Sequence, residues 1–219
     1  MILYTVTGKV GQEGYLDIAK SGDLTGKNIY VNMTNRCPCS CVFCLRQTKK
    51  MIEDNTLWLK EGEPSVEEVL ALFSQYDLSV IGEVVFCGFG EPLERVEDVC
   101  AVIDGLKRDY PDMRVRINTV GLANLIHGRD VTPELAGRVD TLSISLNAPN
   151  AEEFLALTRS RFGIGSYDAL KEFAVLAKRH VPNVVLTVVE KVMPEEKIEI
   201  CRGICDKLGV TLRVRPFEE

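Results

Sequence analysis

Apolar and β-branched residues come in short runs along most of this chain, and helical patterns separate the runs. The β-rich runs cover residues 28–34, 83–87, 114–119, 139–146, 184–191 and 211–215. Between them, apolar residues recur three and four positions apart, as in Val96, Val99, Cys100, Ile103 and Leu106. This alternation is typical of βαβ units. The pattern therefore predicts an α/β fold, a partial (β/α)6 barrel of six parallel strands.

Polar residues mark where several predicted helices begin and end. Ser65 and Glu68 have the spacing of a capping box ahead of an apolar stripe. Ser166 is predicted to cap a later helix, and the helix over residues 195–208 is predicted to end at Gly209.

Residues 1–26 do not follow the alternation. They are rich in glycine and predict a hairpin or an edge extension, with the barrel domain over residues 27–219. Functional groups of parallel α/β sheets gather at the carboxyl ends of the strands. Candidate chemistry is therefore expected directly after each predicted parallel strand.

Composition is that of an ordinary folded protein. The chain has 219 residues and a mass of 24.4 kDa, which suits one domain. With a formal net charge of −6, we expect no broad basic face for nucleic acid or an anionic membrane. No apolar run has the length of a transmembrane helix, and the first residues lack the pattern of a signal peptide. We therefore expect a cytoplasmic protein with reduced thiols.

Four of the eight cysteines lie within eight residues, directly after the first predicted parallel strand. Cys37, Cys41 and Cys44 have the spacing C-x3-C-x2-C, and Cys39 lies between the first two. Soft thiolates on one loop favour an iron–sulfur cluster or zinc. Three thiolates would leave one iron of a cube open for catalysis. A zinc knuckle that uses all four cysteines is the alternative.

The other four cysteines fit a hydrophobic core. Cys201 and Cys205 share a helical face with Ile198, so core packing explains them better than a second pair of zinc ligands. Cys87 and Cys100 are also expected to be core residues.

The cysteine motif, with Phe43 before its last cysteine, resembles that of the radical S-adenosylmethionine (SAM) superfamily. The resemblance implies a [4Fe–4S] cluster on Cys37, Cys41 and Cys44, with SAM chelating the fourth iron and Phe43 packing near the adenine. It also implies a six-stranded partial barrel, reductive cleavage of SAM to a 5′-deoxyadenosyl radical, and a flavodoxin or ferredoxin as the reductant. The hydrogen that the radical abstracts would come from a substrate that the sequence does not identify.

Three further motifs support the resemblance. Gly90, Glu91 and Pro92 match the family's G-G-E-P element, with Phe89 in place of its first glycine and Gly88 directly before it. The element implies binding of the SAM amino group, and the alternative for Glu91 is a solvated acid that caps a helix. Asn118 begins a turn similar to N-T-N-G, with Val120 in place of the second asparagine. Strict alternation sends three polar side chains toward the lumen, where the resemblance implies SAM contacts: Ser143, Ser145 and Asn147.

Longer strings around these motifs look like the small TatD-linked radical SAM proteins, which implies a functional link to a TatD-type nuclease. The rival subfamilies are the glycyl-radical activating enzymes and 7-carboxy-7-deazaguanine synthase. The alternative from a different class is a zinc or iron–sulfur binding module without turnover. His127 has no partner in the sequence pattern and is expected to be an exposed loop residue, and His180 to lie at a helix end.

Basic and apolar residues alternate on two predicted strands. If the apolar residues face the helices, then Arg116, Arg213 and Arg215 point into the lumen. One interpretation is that they pair with Glu91, Asp140 or other acids and are structural. The other is that one binds the SAM carboxylate and another a carboxylate or phosphate of an anionic substrate.

Overall fold

One eight-stranded sheet organises the chain. In this computed structural model, residues 1–8, 14–44, 46, 57–191 and 193–216 are described. The strands follow the order β2-β1-β3-β4-β5-β6-β7-β8 across the sheet. Their bounds are Leu3–Thr7 (β1), Gly14–Asp17 (β2), Ile29–Val31 (β3), Val84–Phe86 (β4), Val115–Thr119 (β5), Thr141–Ser145 (β6), Asn183–Val189 (β7) and Thr211–Arg215 (β8).

The six strands β3 to β8 pair with one another in parallel, which confirms the six-stranded partial barrel. The sheet is not closed, and β2 and β8 are its edges. Strands β1 and β2 pair antiparallel, and β1 also pairs antiparallel with β3. The first segment is therefore a hairpin that extends the barrel sheet. The division into residues 1–26 and 27–219 stays a prediction.

Six α-helices connect the described strands. They are Val66–Phe73 (α1), Val96–Asp109 (α2), Ala123–His127 (α3), Ala151–Thr158 (α4), Ser166–Ala177 (α5) and Glu195–Leu208 (α6). Their apolar faces pack on one side of the sheet and form the main core, with Phe73, Phe86 and Phe173 among its largest buried side chains. This packing leaves the opposite face of the sheet for the lumen.

A smaller apolar cluster lies apart from the main core. Tyr4, Leu57 and Phe89 are its buried members, and Tyr30 stacks on Tyr4 with ring centroids 5.2 Å apart. Because Tyr4 belongs to β1 and Phe89 follows β4, this cluster connects the hairpin to the start of the barrel.

Two of the three helix ends predicted from the sequence agree with the structure. The capping box of Ser65 and Glu68 and the αL end of α6 at Gly209 are confirmed. The prediction for Ser166 is wrong, because Gly165 is the cap residue and Ser166 is the first residue of α5. The Ser166 hydroxyl donates to the carbonyl oxygen of Gly163 at 2.7 Å, so it contacts the preceding turn instead of capping the helix.

Within the described residues, no helix combines the length and the apolar character that crossing a bilayer requires.

Candidate active site

The cysteine loop follows β3 at the carboxyl edge of the sheet, and backbone hydrogen bonds attach it to the end of α4. The N–H groups of Ser40 and Val42 donate to the carbonyl oxygens of Thr158 and Leu157, at 2.8 and 2.9 Å. The N–H of Arg161 donates to the carbonyl oxygen of Pro38 at 2.9 Å. Two segments more than a hundred residues apart in sequence therefore form one wall.

The loop after β4 holds the cysteine loop from the other side. The N–H of Glu91 donates to the carbonyl oxygen of Arg36 at 2.7 Å. A Cβ at Gly90 would lie 2.2 Å from the Thr34 carbonyl oxygen, and one at Gly88 would lie 2.1 Å from Asn32 Oδ1. Both glycines are thus needed for close packing of two protein segments, a reason independent of any ligand.

The cysteines of the motif differ in their surroundings. Cys37, Cys41 and Cys44 are half-buried and Cys39 is buried. Hydrogen bonds to Cys37 and Cys41, together with burial, raise the pKa of the Cys39 thiol. The hydrogen bond from Cys39 lowers the pKa of Cys41, whereas burial raises that of Cys44. The surroundings therefore favour the thiolate of Cys41 and disfavour the thiolates of Cys39 and Cys44.

A cavity of about 600 Å³ opens against this loop. Cys37, Cys39 and Cys44 line it, and Cys41 and the half-buried Phe43 do not. Among the described residues, no three histidine, cysteine or acidic side chains converge as ligands of a single metal ion. The donor set of the loop is nevertheless that of an iron–sulfur centre, because three of its soft thiols are half-buried and two of them face a cavity.

Arginines beside the cysteines are the part of the site that the sequence analysis missed. Arg36, Arg46 and Arg161 line the cavity with Glu94. The Arg46 guanidinium lies 5.0 Å from the centre of the Trp58 ring, and Arg161 lies 3.4 Å from Glu94. Arg36 and Arg46 flank the motif in the sequence and could have been singled out. Arg161 lies beside the motif only because the end of α4 is hydrogen-bonded to the cysteine loop.

Glu91 is neither solvated nor paired with an arginine. Its side chain caps the 3-10 helix Pro92–Arg95 by accepting from the N–H of Leu93 at 3.1 Å. It also accepts from the Thr119 hydroxyl and from the N–H of Val120, each at 2.7 Å. The residue is 2% exposed, and this burial raises its pKa to about 7 against the effect of the three donors. The alternative of a solvated acid is wrong because Glu91 is buried, although the residue does cap a helix. Its carboxylate also contacts the end of β5 and the turn that follows it.

Polar side chains predicted to face the lumen lie in two neighbouring rows on one face of the sheet. Asn118 lies opposite Ser143, and Ser145 lies opposite Thr187, which lies opposite Arg213. Asn147 follows β6 with φ 58°, a left-handed conformation that asparagine tolerates better than most residues. The buried Oδ1 atoms of Asn118 and Asn147 accept no hydrogen bond from any described residue. Such orphaned acceptors on one face fit a polar ligand in the lumen.

The three strand arginines separate into two groups. Arg116 lies near the amino end of the sheet, where it pairs with Glu83 at 2.8 Å. Glu83 is thus one of the other acids that the structural interpretation allowed, and Arg116 does not pair with Glu91 or with Asp140, which pairs with Lys107 at 3.3 Å. Arg213 is exposed and Arg215 is half-buried, both on the open edge strand β8.

His127 is not an exposed loop residue. It ends α3, and its Nε2 lies 2.8 Å from the carbonyl oxygen of Leu93. This contact stabilises the segment that follows Glu91. Cys100, Cys201 and Cys205 are buried as expected, and burial raises the thiol pKa to about 11 for both Cys100 and Cys201. Cys87 is half-buried rather than a core residue.

Comparison with known proteins supports the family resemblance of the cysteine motif. The model of the radical SAM superfamily matches residues 31–204. The dual-specificity RNA methyltransferase RlmN of Hyphomonas neptunium is 26% identical over 93% of this chain and 54% of its own length. A probable RlmN of Prochlorococcus marinus (strain MIT 9303) is 31% identical over 69% of this chain and 41% of its own length. The chain thus spans about half the length of these curated relatives.

Solved structures share the fold. Streptococcus suis SuiB bound to S-adenosylmethionine superposes with a TM-score of 0.66 at 15% identity, over 90% of this chain and 42% of that one. A radical SAM methyltransferase from Sphaerobacter thermophilus superposes with a TM-score of 0.54 at 17% identity, over 87% of this chain and 66% of that one.

Proposed function

The chain belongs to the radical SAM superfamily, and we propose that it holds a [4Fe–4S] cluster on Cys37, Cys41 and Cys44 to generate a radical from SAM. The superfamily consists of enzymes that use such a cluster and SAM. When bound, the cluster supplies one electron that breaks the S–C5′ bond of SAM, giving methionine and a 5′-deoxyadenosyl radical that abstracts hydrogen from a substrate. A flavodoxin or ferredoxin would supply that electron.

The observation that carries this proposal is the meeting of the cysteine loop with the loop after β4. The Glu91–Arg36 backbone bond and the close approach of Gly90 fix the cysteine loop at the carboxyl edge of the sheet. This is the end of the strands at which parallel α/β sheets gather their functional groups.

Residues of the lumen are proposed to hold SAM. Asn118, Ser143, Ser145 and Asn147 present hydroxyl and amide groups on one face, and two of their carbonyl oxygens are unpaired among the described residues. Gly88 and Gly90 would let the backbone approach the ligand, and Phe43 would pack near the adenine. Glu91 then acts by positioning, because its carboxylate already accepts three hydrogen bonds from the protein.

The substrate is proposed to be anionic. Arg213 shares a register with Ser145 and Thr187, and Arg215 lies one pleat further toward the carboxyl edge. A guanidinium binds carboxylate or phosphate with two hydrogen bonds. Arg116 is not proposed to bind the substrate, because its guanidinium already forms an ion pair with Glu83.

Methyl transfer to RNA is the second candidate, because the curated relatives with the widest match carry that activity in their names. The net charge of −6 favours a small anionic substrate over a long nucleic acid. The TatD-linked resemblance, with its link to a TatD-type nuclease, and the rival activase and deazapurine subfamilies rest on sequence motifs alone.

Anaerobic reconstitution tests the function. We expect about four iron and four sulfide per chain and the formation of 5′-deoxyadenosine when dithionite and SAM are added. Stoichiometric zinc without cleavage of SAM would instead identify a binding module. S-adenosylhomocysteine together with methylated RNA would identify the second candidate.

A further inference from the structure

A small surface beside the cysteine loop combines exposed aliphatic and basic side chains. We name it the basic–apolar patch, and it consists of Val42, Arg159, Arg161 and Ile164. Val42 is 40% exposed and Ile164 is 52% exposed, and the Arg161 side chain is 55% exposed. Arg159 is also exposed. Large aliphatic side chains with this exposure next to arginines are typical of interaction surfaces.

The patch is part of the wall that holds the cysteines. Val42 lies between Cys41 and Phe43, and its N–H is bonded to α4 at 2.9 Å. The N–H of Arg161 is bonded to Pro38, next to Cys37, at 2.9 Å. The patch is therefore attached directly to the loop that is proposed to hold the cluster.

Arg159 occupies a backbone position that disfavours it. It ends α4 in the left-handed region, with φ 49°, where glycine is the usual residue. For a residue with a Cβ, this conformation costs about 1–2 kcal/mol. Arg159 forms no ion pair with the described residues. A strained, exposed and unpaired arginine is better explained by an external partner than by folding.

The charge of the patch is opposite to that of the whole chain. Arg161 pairs with Glu94 at 3.4 Å, and the neighbouring Arg36 pairs with Glu63 at 2.9 Å, so these guanidiniums are balanced by carboxylates. Arg159 is the cation of the patch that has no acidic partner among the described residues. With Arg159 the patch has an excess of positive charge on a chain of net charge −6. Such a local field accelerates encounter with an acidic partner.

We infer that the basic–apolar patch is the docking surface of a small acidic one-electron carrier protein. This inference rests on the proposed function, which needs electrons delivered singly to the cysteine loop. Electron-transfer encounters use small interfaces, below about 1,200 Å². An RNA strand would instead need a track of cations along several phosphates together with stacking aromatic rings. The exposed aliphatic residues Val42 and Ile164 suit a protein better.

The test compares two double variants of the full chain. Arg159→Glu/Ile164→Asp changes the patch without touching a residue that lines the cavity. Val175→Asp/Arg179→Glu is the matched control. Val175 is 38% exposed near the end of α5, and Arg179 is exposed just after that helix, before the amino end of β7. Both double variants change one exposed arginine and one exposed aliphatic residue.

Two measurements separate docking from chemistry. With dithionite, we expect the same rate of 5′-deoxyadenosine formation in the wild type and both variants. With a photoreduced acidic flavodoxin at low salt, we expect the rate of the patch variant to fall about tenfold and the control to stay unchanged. Binding of oxidised flavodoxin, measured by calorimetry, should weaken in the patch variant alone and weaken with salt in the wild type.

Equal flavodoxin binding and equal flavodoxin-driven rates in all three proteins would overturn the docking surface. So would loss of binding to a single-stranded RNA oligonucleotide in the patch variant with flavodoxin binding intact, which would make the patch a nucleic-acid surface. Absence of 5′-deoxyadenosine from the wild type with dithionite would count against the proposed function, while the calorimetry still decides the docking surface. Arg159→Gln repeats the test with a neutral residue.

Discussion

The N–H of Glu91 donates to the carbonyl oxygen of Arg36 at 2.7 Å, which places the loop after β4 directly against the cysteine loop. The glycine before Glu91 makes this approach possible, since a Cβ there would lie 2.6 Å from the same Arg36 oxygen. The geometry of the cysteines therefore depends on a residue that carries no side chain.

Gly90→Ala should displace the cysteine loop. The added methyl group would also lie 2.2 Å from the Thr34 carbonyl oxygen, and backbone cannot move aside as a flexible side chain can. We expect a loss of unfolding free energy of about 2–4 kcal/mol, the range of strained or overpacked sites, and a loss of reconstituted cluster absorbance. The control is Gly203→Ala within α6, where a Cβ meets nothing within 4 Å. That variant should gain about 0.5–1 kcal/mol, and equal behaviour of the two variants would contradict the packing argument.

Glu91 should make stability depend on pH. Burial raises its folded-state pKa to about 7, above its ordinary value of 4.5. Between these values the folded state binds more protons than the unfolded state, so the free energy of unfolding falls as pH rises from about 4.5 to 7 and is level above. The contribution is on the order of 3 kcal/mol. Urea unfolding between pH 4.5 and 8 should show this slope in the wild type and lose it in Glu91→Gln. The same slope in both proteins would assign it to other groups.

Cys39 should be dispensable for the cluster, unlike its three neighbours. Its side chain is buried against Cys37 and Cys41, whereas those of the other three are half-buried, and its position two residues from both Cys37 and Cys41 would crowd a single cluster. Ala at position 37, 41 or 44 should abolish the absorbance of the reconstituted cluster and the cleavage of SAM. Cys39→Ala should keep both. Loss of the cluster in Cys39→Ala, with retention in any one of the other three, would show that the ligand set is wrong.

Much of this arrangement could be predicted from the sequence because it is periodic or local. The six parallel strands follow from runs of apolar residues, and the cysteine motif lies on one loop. Arg161 could not be placed beside that loop, because only the pairing of α4 with residues 38–42 brings it there. The internal hydrogen bonds of Glu91 could not be predicted for a related reason. Their donors belong to Leu93, Thr119 and Val120 on two separate segments, which only the fold brings together.

Asn118→Ala should weaken SAM binding without loss of stability. The buried Oδ1 atom of Asn118 accepts no hydrogen bond from the described residues, so its removal deletes an unpaired polar atom and no internal bond. The loss of one hydrogen bond to the ligand should raise the Kd for SAM about tenfold. The control is Asn183→Ala at the amino end of β7, which should leave SAM affinity unchanged. Equilibrium dialysis with SAM measures both, and a lower melting temperature with unchanged affinity in Asn118→Ala would indicate a purely structural residue.

The strand arginines should separate into structural and binding residues. Arg116→Met leaves Glu83 without its guanidinium in a half-buried place, so unfolding free energy should fall by about 1–3 kcal/mol with SAM affinity unchanged. Arg213→Met and Arg215→Met lie on the open edge strand β8 and should keep the cluster absorbance. In these two variants, however, we expect weaker binding of SAM, or a weaker effect of the anionic probes citrate and pyrophosphate on 5′-deoxyadenosine formation. If both variants match the wild type in SAM affinity and in their response to the two anions, the basis for an anionic substrate is removed. The proposal depends on the two guanidiniums that β8 carries.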